Sequence, residues 1–288
     1  MRGKIKIVVD SCCDLPRAIR ERFDIRTVPV NIHIGKRSYE DEVGMSREEL
    51  YRKMEEGIVP TTSQPAPGKF LEIYRELAKK ASTIFSIHIS SKLSGVFQSA
   101  TLARSMLPEV DIRVIDSLSA SMGTGFLALA AARASEAGRT AEEILARVEG
   151  IRSRINLFAT VSTLKYIRLS GRVGTLGGML ASLLNIKPII TIRDGLVKAL
   201  GAVRTRARSL DRLVELTREA VGEADPVRIA VIHARAPQDA QQLRERLEAI
   251  LKCKEILTVE LTPALAVHGG PGAIGVVSYK VTAKEEDG

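Results

Sequence analysis

The sequence predicts an α/β protein of two domains: a Rossmann-like, mostly parallel sheet with flanking helices over residues 1–155, and an α+β domain over 156–288. Three observations carry this. Through the first half, β-branched runs alternate with amphipathic helical stretches, the order that builds a parallel sheet covered by helices. In the second half, Asp194-Gly195 sits between two strand-like runs, and that dipeptide suits the positive-φ turn of a β-hairpin. The length of 288 residues allows two modest domains or one large one, and the change of pattern near Asn156 favours two.

The elements follow in order. Residues 5–9 form a short β-branched run that ends in the polar turn Asp10-Ser11-Cys12-Cys13-Asp14, after which Pro16 opens a helix reaching Arg22. Residues 27–34 read as one strand. Ser46-Arg47-Glu48-Glu49 has capping-box spacing, so a helix starts at Ser46 and runs to Gly57. Over 67–81, Phe70, Ile73, Tyr74 and Leu77 share one helical face. Strands over 83–89 and 112–115 enclose the loop 90–95 and a helix, and helices over 123–137 and 140–153 follow. Beyond them, 157–161 is strand-like and 171–184 is Gly-rich with an apolar helix at its end. The hairpin joins 189–193 to 196–203; helices over 210–221 and 237–253 then alternate with strands over 227–233, 255–261 and 273–281. No repeat of about 20–50 residues is visible.

Composition narrows the function. With 45% hydrophobic and 27% charged residues, the chain has the balance of a soluble globular protein. Aromatics make up 4% and Trp is absent, which argues against a stacking surface for single-stranded nucleic acid. No reading helix stands out either, so nucleic acid is not an expected partner. The formal charge of +9 favours anionic partners. Most basic residues stand beside acids on amphipathic helices, as in 51–56 and 244–248. Arg204, Arg206 and Arg208, with Arg168 and Arg172 upstream, are the exception, and form either a solvated face or a partner-binding patch. Three cysteines without a CxxC pair make no disulfide framework. Asp10 and Asp14 interrupt any leader-like apolar run, and the apolar stretch at 126–132 is too short to span a bilayer. The expectation is a reduced, soluble, cytoplasmic protein.

The familiar catalytic templates are missing: no Walker A run, no HExxH, no GxSxG elbow. Gly270, Gly272 and Gly275 match GxGxxG, but strand-like sequence follows them where a dinucleotide site needs a helix. Two hydroxyl-rich loops stand out instead. Thr61-Thr62-Ser63-Gln64-Pro65 precedes the helix near Pro67, and Ser90-Ser91-Lys92-Leu93-Ser94-Gly95 joins a strand to a helix. At a helix N-terminus, hydroxyls and unpaired N–H groups favour an anion; ordinary N-capping is the plainer alternative. His268 lies beside Gly269-Gly270-Pro271-Gly272, held near a ligand or in a surface turn. His33, His88 and His233 sit in strand-like runs and read as structural. None has metal-ligand spacing, so no metal is expected. Cys12 and Cys13 occupy a strand-to-helix turn, where thiol pKa values can fall, but no partner base is apparent.

Taken together, these loops resemble the DegV family. The matching pieces are Asp10-Ser11 with Asp14-Leu15, Thr61-Thr62-Ser63-Gln64-Pro65, Ile89-Ser90-Ser91-Lys92-Leu93-Ser94-Gly95 with Gln98-Ser99-Ala100, and Ile115-Asp116-Ser117 with Ser119-Ala120-Ser121-Met122-Gly123. Leu164-Lys165-Tyr166-Ile167-Arg168, Gly171-Arg172, Lys187-Pro188, Arg204-Thr205-Arg206 and His268 with Gly270-Pro271-Gly272 follow in family order. The resemblance implies a two-domain α/β protein that holds a long-chain fatty acid between its domains. Thr62, Ser94 and Gly95 would lie near the carboxylate, with Thr61 and Ser91 in the same loops and His268 in its hydrogen-bond network. The acyl chain would run into the apolar C-terminal domain, where an apolar helix over 176–184 suits a tunnel wall or an ordinary core. Family members are similar to the binding subunits of bacterial fatty acid kinase. A separate ATP-dependent kinase phosphorylates the carboxylate, giving an acyl-phosphate for phospholipid synthesis. Arg168, Arg172, Arg204 and Arg206 match positions for carboxylate support or kinase docking. The sequence departs from the pattern in two places: Cys12-Cys13 stands where smaller or hydroxyl residues are usual, and Gly269 where Thr is common.

The physics suits that role. A buried carboxylate is costly unless several donors receive it, and burying an acyl chain of about 16 carbons at about 0.8 kcal/mol per methylene contributes on the order of 10 kcal/mol before association costs. On this reading the protein is a carrier and not itself an enzyme, with no cofactor beyond its lipid and only transient membrane contact. The competing expectation is a stand-alone acyl-ester hydrolase with Ser94 as nucleophile.

Overall fold

The computed structural model describes residues 4–172 and 186–282. The first half runs β1 (Ile5–Asp10), α1 (Arg17–Arg22), β2 (Arg26–Val28), β3 (Asn31–Ile34), β4 (Arg37–Glu40), α2 (Arg47–Glu55), β5 (Thr61–Ser63), α3 (Pro67–Ala78), β6 (Thr83–His88), α4 (Val96–Ser105), β7 (Asp111–Asp116), α5 (Met122–Glu136) and α6 (Ala141–Arg152). The second half runs β8 (Asn156–Thr160), α7 (Lys165–Leu169), β9 (Lys187–Arg193), β10 (Leu196–Val203), α8 (Arg206–Val221), β11 (Val227–His233), α9 (Pro237–Ile250), β12 (Cys253–Glu260), α10 (Pro263–Gly269) and β13 (Ile274–Lys280).

Strands β2-β1-β6-β7 form a parallel sheet, as strand–helix alternation predicts. A six-stranded mixed sheet, β10-β9-β8-β13-β11-β12, occupies the second half. Within it β11 and β12 pair parallel, whereas β8, β9, β10 and β13 pair antiparallel. The expected hairpin is there, with Asp194 and Gly195 both at positive φ (+55° and +78°), the two-residue turn whose twist matches its strands.

The structure departs from the sequence reading in four places. Residues 27–34 are not one strand. Pro29 has no N–H to offer a ladder, so β2 stays in the parallel sheet while β3 leaves for a small antiparallel sheet, β4-β3-β5. Thr61-Thr62-Ser63 is strand β5 of that sheet and not a helix-capping loop; α3 begins after Ala66, which makes no side-chain cap. At α2 only the forward half of the capping box forms, the Glu49 N–H donating to Ser46 Oγ (3.1 Å). Finally, the histidine beside the glycines lies in the last turn of a short helix, α10. The Gly-rich segment from 173 to 184, including the expected apolar helix over 176–184, lies outside the described residues.

Period-2 alternation gives the six-stranded sheet two apolar faces. Phe158, Ile229, Val231 and Val276 pack with α8 and α9. Leu157, Ala230, Ile232 and Tyr279 join the core of the first half. Between the sheets lies α5, buried on every side and almost wholly apolar from Met122 to Ala132. Its Phe126 ring meets Tyr279 edge-on, centroids 5.3 Å apart, and its Arg133 makes a two-pronged ion pair with Glu255 (2.7 and 2.9 Å). No helix among the described residues is long and apolar enough to cross a membrane.

Candidate functional site

The parallel sheet reverses its order at β1, since β2 is added on one side of it and β6 on the other. Loops leaving the carboxyl ends of β1 and β6 diverge there and leave a crevice, the usual ligand position in such sheets. The loop after β6 is fixed from below by Asp10, whose Oδ2 accepts from the Ile89 N–H (3.0 Å) and contacts His88 Nδ1 (3.0 Å). It is fixed from the other half as well: Ser90 Oγ donates to the Gly195 carbonyl and Lys92 Nζ to the Asp194 carbonyl, each at 2.8 Å.

A mostly apolar cavity fills this crevice. Cys12, Ile89 and Leu93 wall it from the first half, and Ala159, Ile190 and Ile192 from the six-stranded sheet. Few polar residues reach its wall: Thr62, Ser94, Ser121, Ser170, Arg172 and His268. Thr62 Oγ1 and His268 Nε2 are 2.9 Å apart, while the buried His268 Nδ1 has no hydrogen-bond partner among the described residues. Burial, and secondarily the nearby Arg172 cation, pushes the His268 pKa down to about 4, so the ring is neutral near neutral pH. A neutral imidazole carries one N–H and one acceptor nitrogen. If Thr62 donates to Nε2, the Nδ1–H is unspent; if Nε2–H donates to Thr62, the hydroxyl hydrogen is unspent. Either tautomer leaves the pair one donor to give. Arg172 adds a cation at the wall, its Nε donating to the Leu93 carbonyl (3.3 Å).

Of the residues expected to hold the ligand or an anionic partner, the structure therefore brings Thr62, Ser94, Arg172 and His268 to one cavity. Others stand outside its wall. Thr61 is exposed on β5. The Ser91 N–H donates to Asp116 Oδ1 (3.2 Å). Gly95 caps α4, and a Cβ there would come within 2.9 Å of the Gln64 side chain. Arg168 is exposed on α7 and Arg204 exposed ahead of α8. Arg206 pairs with Asp239 of α9, its Nε donating to Oδ2 (2.9 Å) and its Nη2 2.8 Å from the same oxygen. Cys12 reaches the cavity, but burial raises its thiol pKa well above the usual range, the opposite of a reactive thiolate. Ser121, quoted in the sequence only within a family-matching run, was not expected at the ligand. It lines the cavity in a left-handed conformation (φ +53°), held by its N–H to the Cys12 carbonyl (2.9 Å) and its hydroxyl to Asp14 Oδ2 (2.5 Å).

An Asp–His–Ser series does exist, away from Ser94: Asp10 Oδ2 to His88 Nδ1 at 3.0 Å, and His88 Nε2 to Ser86 Oγ at 2.6 Å, with Tyr74 OH donating to Ser86 (2.7 Å). All of it is buried, the Phe70 ring stands edge-on to His88, and none of it joins the cavity wall. It braces β1, β6 and α3. His33, bonded to Ser63 Oγ (2.8 Å), and His233, accepting from the Ala236 N–H (3.4 Å), likewise serve their own strands. No cluster of His, Cys, Asp and Glu among the described residues has the arrangement of a metal site.

Comparison with known proteins identifies the family. The family model described as "Uncharacterised protein, DegV family" matches residues 4–281. The chain belongs to the DegV family. A DegV domain-containing protein of Streptomyces coelicolor is 35% identical over 279 residues, covering 96% of this chain and 99% of that one. Among solved structures, a DegV family protein from Thermus thermophilus, described by its fatty acid binding, superimposes with a TM-score of 0.93 at 34% identity, over 96% of this chain and all (100%) of that one. DegV of Bacillus subtilis, described as a fatty acid binding protein, superimposes with a TM-score of 0.89 at 29% identity, over 97% of this chain and 100% of its own. The two-domain α/β fold of the DegV family is the fold of this chain.

Proposed function

We propose that this protein binds one long-chain fatty acid in the cavity between its parallel and mixed sheets and presents the carboxylate to a separate ATP-dependent kinase. The observation that carries the reading is the Thr62–His268 pair, with its one unspent donor, at the wall of an otherwise apolar cavity. The hydroxyls of Thr62 and Ser94 receive the carboxylate, with His268 and Arg172 behind them. The acyl chain lies against Ala159, Ile190 and Ile192. The fatty-acid-binding members from Thermus thermophilus and Bacillus subtilis, alike in fold over nearly the whole chain, support the ligand class. Ser94, the nucleophile of the hydrolase alternative, lines the cavity without a side-chain hydrogen bond to any base among the described residues, which favours a carrier over a hydrolase. Arg168 and Arg204, exposed and outside the cavity wall, are the arginines available for kinase docking. The boundary between the domains falls near residue 155, just before β8.

The test is reconstitution. Protein loaded with labelled oleate yields acyl-phosphate only when ATP and a fatty acid kinase catalytic subunit are both added, and exchanging Arg204 for Glu slows that step without releasing the lipid. Acyl-phosphate formed without the kinase would contradict the carrier role. Turnover of an acyl ester that disappears in Ser94→Ala would replace this reading with the hydrolase.

A further inference from the structure

Helix α10 carries His268 at its last turn, and the way its first turn is held is not explained by fatty-acid contact. Thr262, its N-cap, makes no side-chain cap of its own. Instead two carboxylates from the first half reach across. Asp14 Oδ1 accepts from the Thr262 N–H (2.8 Å), and Asp41 Oδ1 accepts from the Ala264 N–H (3.1 Å). Both are buried, at 3% and 1% exposure, where a carboxyl group is costly without a specific task. Thr262 Oγ1 adds a bond to the Ser11 carbonyl (3.3 Å), and Arg47 Nε donates to the Leu261 carbonyl (2.9 Å). The other end of the helix meets the first half at Thr62–His268. With about 1.5 Å rise per residue, the seven residues of α10 act as a lever about 10 Å long between those two attachments.

We propose that Asp14 and Asp41 are positioning residues for the carboxylate site: by accepting the first amides of α10 they set the helix on the first half, and so hold His268 opposite Thr62. Asp14 acts on a second element at the same time. Its Oδ2 takes the Ser121 hydroxyl, pinning a cavity-wall residue in a left-handed conformation that side chains seldom adopt. Each of these bonds needs only an acceptor oxygen, which the protonated carboxyl also offers. Burial, against hydrogen bonds from Ser121 and Thr262, raises the Asp14 pKa to about 7, and burial raises that of Asp41 to about 6.

This inference rests on the fatty-acid reading of the cavity, and the test separates the two. Palmitate and hexadecanol are titrated calorimetrically into the full-length protein; the alcohol keeps the acyl chain and lacks the carboxylate. Wild type prefers palmitate, and His268→Ala loses that preference, if the cavity is a carboxylate site. Asp14→Ala and Asp41→Ala are then expected to lower the palmitate-to-hexadecanol ratio at least about tenfold, the scale of one lost charge-assisted hydrogen bond, with hexadecanol affinity nearly unchanged. Asp14→Asn, which keeps an acceptor for the Thr262 amide, retains the wild-type ratio. Folded Ala variants that keep the wild-type ratio, or that lose both ligands equally, overturn the positioning role while leaving the site intact. Wild type with no preference for palmitate overturns the site itself and this role with it. Should Asp14→Ala fail to fold, Asp41→Ala carries the same readout.

Discussion

Ala159 offers a direct probe of where the acyl chain lies. It stands on β8 and lines the cavity. Its neighbour across the ladder is Gly275, where a Cβ would come within 2.9 Å of the Ala159 Cβ, so this part of the sheet face is kept low by small residues. Ala159→Leu adds three carbons to the cavity wall. If they occupy space otherwise filled by the ligand, about three methylenes lose their burial, and at about 0.8 kcal/mol each the loss is about 2.4 kcal/mol, or about 60-fold in affinity for a chain that fills the cavity. A shorter acid that ends before Ala159 loses nothing. Calorimetric titration of laurate, myristate, palmitate and stearate into both proteins therefore yields a chain-length optimum shifted toward shorter acids. Equal weakening of all four would mean that the substitution damages the site and not the tunnel. Unchanged stearate affinity would mean that the acyl chain does not pass β8, and the reasoning would fail.

Further outcomes follow from the same geometry. Thr62→Val removes the hydroxyl 2.9 Å from His268 and lowers palmitate affinity about 10- to 100-fold, with hexadecanol affinity held, as read by the same titration. Gly270→Ala puts a Cβ at positive φ (+73°) and 2.1 Å from the Tyr166 ring; left-handed strain of about 1–2 kcal/mol and overpacking of about 1–3 kcal/mol lower the calorimetric Tm by several degrees. Asp14 and Asp41 have folded-state pKa values raised to about 7 and about 6, above the ordinary carboxyl value. The folded protein therefore holds these protons more tightly than the unfolded chain. Their contribution to stability is full below about pH 4 and is lost as pH rises through about 6 to 7. Denaturant titrations across that window show the decline, and Asp14→Asn flattens its upper part; an unchanged slope in that variant would rule out Asp14 as the source.

The fold was largely legible because its strands and helices are long enough to display their periods. The β-branched run at β1, the amphipathic face of α3 and the Asp194-Gly195 turn each encode their local structure. The sheet β4-β3-β5 was not legible, since its strands are three or four residues long and show no resolvable alternation. That gap misled the reading of Thr62, which reaches the cavity from a strand and not from a helix cap. Helix α10 was hidden because Pro263 to Gly269 is mostly small and apolar, without a polar face to mark a period. Arg206 looked unpaired because its partner, Asp239, is 33 residues away in sequence. The cavity wall was invisible for a different reason: Ala159, Ile190 and Ile192 look like any sheet core, and only the third dimension leaves space between them and the loops after β1 and β6.

Native mass spectrometry of freshly purified protein, followed by organic extraction, tests fatty-acid binding itself. The expected result is a mass excess of one fatty acid per chain that disappears on denaturation and is recovered in the extract. A clean apo mass that remains apo after incubation with palmitate, stearate and oleate would contradict it.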